Sequence, residues 1–84
     1  MAIVVVEREL PEPMTRDAFE QFSEGAKWCF ETHNVTRVST FVSGDGRRVV
    51  CVYEGPDVDA VRRANHTAQI PYTTMWAASL HEAD

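Results

Sequence analysis

Cysteine, lysine and long apolar runs are all scarce in this chain, and each scarcity narrows what it does. Only Cys29 and Cys51 occur among its 84 residues, without CxxC spacing. Neither has a neighbouring histidine or basic residue of the kind that activates a thiol. Both read as packing residues, reduced in a cytoplasmic setting. The apolar opening 2–6 (AIVVV) is too short for a signal-peptide core and meets Glu7-Arg8-Glu9 at once. No stretch is long enough to span a bilayer. Basic residues are few: 8 Lys and Arg stand against 13 Asp and Glu, a net charge of −5. Nucleic acid and anionic membrane are therefore not expected partners, since both need concentrated positive charge. The doublets Arg47-Arg48 and Arg62-Arg63 are too small to change that. GxSxG, P-loop, dinucleotide and HExxH motifs are absent, so no nucleotide cofactor and no evident catalytic machinery is expected. Repeats, linkers and low-complexity segments are missing too, which leaves one domain spanning 1–84.

What is present is ordinary for a globular domain, with 44% hydrophobic and 25% charged residues. Residues 2–9 are β-branched and stop at Pro11-Glu12-Pro13. Thr15 then reads as an N-cap. Phe19, Phe22, Ala26, Cys29 (with Phe30) and His33 recur at three- and four-residue spacing, the stripe of a helix of about five turns. Trp28 falls opposite that stripe. Residues 35–43 and 47–54 are two β-rich runs joined by Gly44-Asp45-Gly46, a hairpin signal. Asp57 caps a second helix, with Val58, Val61 and Ala68 inward and Asp59–Arg63 as an i,i+4 pair. Pro71 ends that helix, and 72–80 reads as a last strand.

The order βαββαβ predicts an α+β, ferredoxin-like fold: a four-stranded antiparallel sheet with both helices on one face. The runs at 3–6 and 49–53 are apolar on both alternating faces, the mark of a strand covered on two sides. Helices cover one face, so a homodimer through the open face is expected.

Glu7 and Glu54 end the first and third strands. Read as central, parallel neighbours, those strands bring the two carboxylates together, as hard metal ligands or a general base. Solvated strand ends paired with Arg8 or Arg48 are the plainer alternative. Among the histidines, His33 closes the first helix, His66 flanks the buried face of the second, and His81 lies in the tail. No two stand at i,i+4, so a metal site must be assembled in three dimensions. Tyr72 and Trp76 share one strand face, with Tyr53 as a possible neighbour, and they read as core or as the wall of a small-ligand pocket.

Three stretches taken together carry a resemblance: VERELP (6–11), CVYEGPD (51–57) and VRRANHTAQIPYTTMW (61–76). They resemble a family of small bacterial proteins catalogued as a domain of unknown function, some of them described as nickel-binding with a ferredoxin-like fold. The resemblance implies a dimer that binds a divalent transition metal such as Ni²⁺, with Glu7, Glu54 and His66 as the positions able to coordinate. The chain departs from the family pattern at Gln69, where a glycine commonly precedes the apolar-Pro pair. It departs again at Ala64 and Asn65, near which a histidine often stands. Three functions are thus expected to compete. The first is a non-enzymatic metal-binding dimer. The second is a cofactor-independent oxygenase or isomerase of the dimeric α/β-barrel kind, using His66 or His33 beside a wall of Tyr53, Tyr72 and Trp76. The third is a protein-interaction module.

Overall fold

The β-branched opening forms strand β1 (Ala2–Glu9), and five further elements follow in a computed structural model that describes residues 1–83: α1 (Arg16–Thr32), β2 (Thr36–Val42), β3 (Arg48–Gly55), α2 (Val58–Thr67) and β4 (Thr74–Ala78). All four strands join one antiparallel sheet in the order β2-β3-β1-β4. This is the expected α+β architecture. No helix in the described residues is long and apolar enough to cross a membrane.

Local chemistry sets the boundaries. The Thr15 hydroxyl accepts from the Ala18 amide at 3.1 Å, and the Asp57 carboxylate accepts from the Ala60 amide at 2.7 Å, so both helices start on a side-chain cap. Both end alike. The amides of Asn34 and Val35 bond back to Glu31 and Phe30, and those of Gln69 and Ile70 to His66 and Asn65. This reciprocal closure needs a left-handed residue just past the helix. Asn34 (φ 59°) tolerates that conformation; Gln69 (φ 58°) adopts it as well. In the hairpin, Gly46 takes φ 73° while the Asp45 carboxylate accepts from the Ser43 hydroxyl and the Arg47 amide. On α2, Asp59 pairs with Arg62, one residue short of the expected Arg63.

The core lies between helices and sheet. Val4 and Val6 of β1, Val49, Cys51 and Tyr53 of β3, and Val61 and Ala64 of α2 are buried in it. Alternation along β1 and β3 leaves Ile3, Val5, Val50 and Val52 on the opposite, open face, only partly covered. Phe41 and Trp76 join them there, 65% and 48% exposed.

One expectation fails in the sheet. β1 and β3 are central neighbours but antiparallel, because the chain crosses from β1 to β2 over the helical face and then reverses through the hairpin into β3. Glu7 faces Val50, whereas Glu54 faces Ile3. Four residues of strand, roughly 14 Å, separate the two carboxylates along β3.

Candidate functional site: a pocket at the two helix ends backed by a buried arginine

Alternation on β1 puts Arg8 on the same face as Val4 and Val6, pointing into the core, where it is 5% exposed. Its guanidinium donates to the Asn65 side-chain oxygen at 2.7 Å, to the Tyr53 hydroxyl at 3.1 Å and to the Pro71 carbonyl at 3.0 Å. Asn65, itself fully buried, donates onward to the Val61 carbonyl at 2.8 Å. Every partner of Arg8 is formally neutral, and its Nε has no partner. Burial pushes the Tyr53 phenol up to about 12; the adjacent Cys51 adds to the rise and the Arg8 charge opposes it. Tyr53 is therefore neutral at physiological pH and supplies no counter-charge.

The sequence reading missed this arginine, treating it as a partner for exposed carboxylates. The signal was available: Arg8 has the same parity as Val4 and Val6.

Asn65 and Pro71 connect Arg8 to an open pocket of about 890 Å³ where α1 and α2 end side by side. His33, His66 and Tyr72 line it with Arg62, Arg63 and Thr67. His33 caps α1, and its Nε2 lies 3.3 Å from the Thr67 hydroxyl at the end of α2. Three residues singled out in the sequence for different reasons are thus brought to one place.

The others are not. Tyr72 precedes β4 rather than sharing a strand face with Trp76. Trp76 lies opposite Val5 on the open sheet face, where its indole nitrogen donates to Glu7 at 3.3 Å. Tyr53 points the other way, stacked on Phe30 with centroids 5.0 Å apart. Hydrogen bonds from Thr74 and then Trp76 hold the Glu7 carboxyl below its ordinary pKa, against a smaller opposing effect of burial, with Arg48 contributing least. Glu54 is exposed at the far end of β3, and His66 lies on the helical side of the sheet. The set Glu7, Glu54 and His66 does not converge within one chain.

A second cleft of about 340 Å³ opens where α1 stands off β2 and β3. Phe19, Phe22, Phe30 and Tyr53 line it, and the Arg37 guanidinium sits 4.9 Å over the Phe19 ring. No histidine lines this cleft. Trp28 remains 63% exposed on the far side of α1.

As a test for a metal, His33 and His66 supply two imidazole donors around one pocket, part of a set suited to Ni²⁺. No group of three or more His, Cys, Asp or Glu gathers among the described residues. The two imidazoles are thus the only His, Cys, Asp or Glu side chains among the residues that line this pocket.

Residues 5–77 match the family described as "Nickel responsive protein SCO4226-like". A solved structure titled "Crystal structure analysis of SCO4226 from Streptomyces coelicolor A3(2)" superimposes with a TM-score of 0.85 at 18% identity, over 96% of this chain and 100% of that one. No curated protein matches the sequence. The chain belongs to the SCO4226-like family of nickel-responsive proteins.

Proposed function

We propose that this chain is a small metal-binding protein without evident catalytic machinery. It takes a divalent transition ion such as Ni²⁺ at the pocket where α1 and α2 end, with His33 and His66 as nitrogen donors. The observation that carries the reading is that these two histidines, distant in sequence, line one open pocket. Membership of a nickel-responsive family supports the choice of ion. Water or groups from outside the chain fill the other coordination positions, as suits an ion that favours mixed nitrogen and oxygen ligands. Glu7 and Glu54 take no part in this set.

An ion bound to the native state raises the melting midpoint by mass action. Chelator-stripped, untagged protein is expected to gain thermal stability with Ni²⁺, and His33→Ala and His66→Ala to lose the gain. Midpoints unmoved by Ni²⁺, Co²⁺, Cu²⁺ and Zn²⁺ alike would end the metal reading.

The same proposal includes a cytoplasmic homodimer. Partly covered Ile3, Val5, Val50 and Val52, with exposed Phe41 and Trp76, support a second copy packed on the open sheet face. A contiguous apolar surface of this kind is a usual mark of an interface.

The α1–sheet cleft favours a second reading, a small apolar ligand held between Phe19, Phe30 and Tyr53. Without a histidine in that cleft, it supports binding rather than the acid–base chemistry expected of an oxygenase or isomerase.

A further inference from the structure

The pocket at the two helix ends carries charge of one sign. Arg62, Arg63, His33 and His66 line it, and no Asp or Glu stands among its lining residues. Behind its wall, Arg8 is 5% exposed, bonded to Asn65 and Pro71, and has no carboxylate partner. A charge taken out of water is disfavoured unless it is compensated. The three bonds from Arg8 go to neutral acceptors and leave its positive charge in place. All this occurs in a chain whose net charge is −5.

Several backbone acceptors at the pocket are already used. The carbonyls of Ala64, Asn65 and His66 close the end of α2, those of Phe30 and Glu31 close α1, and the Pro71 carbonyl accepts from Arg8. Arg62 is held by Asp59, but Arg63 forms no ion pair among the described residues. Arg63 offers only donors, while the imidazoles, the Gln69 side-chain amide and the Thr67 hydroxyl can donate as well as accept.

We propose that this pocket binds a small, multiply charged oxyanion, a polycarboxylate or a phosphate. Arg63 and the imidazoles contact it directly, while Arg8 acts from behind as the fixed compensating charge. The site does not depend on metal binding. Where a metal is also held, the anion supplies the oxygen ligands that the chain lacks, and it offsets the repulsion between a divalent cation and the unpaired Arg8 and Arg63 guanidinium groups.

The three histidines provide the assay. In metal-free buffer at fixed ionic strength, citrate and inorganic phosphate are titrated separately while imidazole NMR signals are followed. Saturable shifts of His33 and His66, with His81 unmoved, are expected with at least one anion, and the stronger response identifies carboxylate or phosphate as the ligand. Arg63→Gln, an exposed change, should weaken affinity about tenfold, as loss of one charge-assisted contact implies. Asn65→Asp places a carboxylate against Arg8 and should weaken it similarly, with Arg63 and both imidazoles left in place. Linear, non-saturating shifts that are alike for all three histidines would overturn the proposal. So would affinity unchanged in both variants, each verified as folded by circular dichroism. A saturable anion response without any Ni²⁺ response would leave this inference standing and remove the metal reading, and the converse would do the reverse.

Discussion

Arg8 donates to the Asn65 side-chain oxygen at 2.7 Å across 57 residues of sequence, and both side chains are buried. This contact ties β1 to α2, while the bond from Arg8 to Pro71 fixes the segment that follows α2. The same guanidinium orients Tyr53 on β3. The planar guanidinium serves the three acceptors from two separate nitrogens held in a fixed fork, a spread that the single nitrogen of an ammonium does not match. Arg8→Lys should therefore destabilise the fold by about 2–3 kcal/mol, since buried acceptors left unpaired cost about 1–3 kcal/mol each. Urea unfolding followed by circular dichroism measures this directly. A loss under about 0.5 kcal/mol would mean that the network adds little to stability.

Tyr53 makes alkaline stability informative. Its phenol titrates at about 12 in the fold, above the ordinary value of 10.0, because burial disfavours the charged form. The folded state thus holds the proton more tightly than the unfolded chain. That contribution is fully present below pH 10 and is lost as pH rises through about 12. Stability should fall across this window in the wild type. Tyr53→Phe should show less of the fall, although it also deprives Arg8 of one acceptor.

Glu7 gives the opposite sign. With its carboxyl held below the ordinary value by Thr74 and Trp76, the fold favours the ionised form. The stability this contributes is present above the unfolded pKa and disappears as pH falls through the folded one. Thr74→Val removes the larger cause, so the Glu7 pKa should rise toward the ordinary carboxylate value in an NMR titration.

Gln69 sits at φ 58°, where a residue with a Cβ is strained and glycine is not. Gln69→Gly should raise stability by about 0.5–1 kcal/mol, the relief of that strain reduced by the greater chain entropy of glycine when unfolded. The thermal midpoint should move up accordingly. A lower midpoint would indicate that the Gln69 side chain, which lines the pocket, contributes contacts that outweigh the strain.

The open sheet face predicts an association equilibrium. Phe41→Ser with Trp76→Ser should shift sedimenting mass from two copies to one without loss of secondary structure, since both side chains are exposed in the isolated chain. A single-copy mass in the wild type at high concentration would contradict the dimer.

The fold was largely legible because its signals are local. Thr15 and Asp57 cap helices as their positions implied, Asp45-Gly46 turns the hairpin, and the β-branched runs form strands. The site was legible only in part. His33, His66 and Tyr72 were each singled out, yet their meeting depends on how α1 and α2 end beside one another, which no spacing in the chain encodes. Strand direction decided the rest. Reading β1 and β3 as parallel joined Glu7 to Glu54, whereas the antiparallel ladder sets them at opposite ends. Arg8 was overlooked because a charge is expected to seek water, although its place in the β1 alternation points inward.

Metal binding by the two imidazoles is the central claim, and calorimetric titration of chelator-stripped, untagged protein with Ni²⁺ tests it most directly. The account predicts a saturable, stoichiometric heat in the wild type, at least tenfold weaker binding in His66→Ala and in His33→Ala, and no change in His81→Ala. Absence of heat in the wild type, or binding indifferent to both pocket histidines, would contradict it.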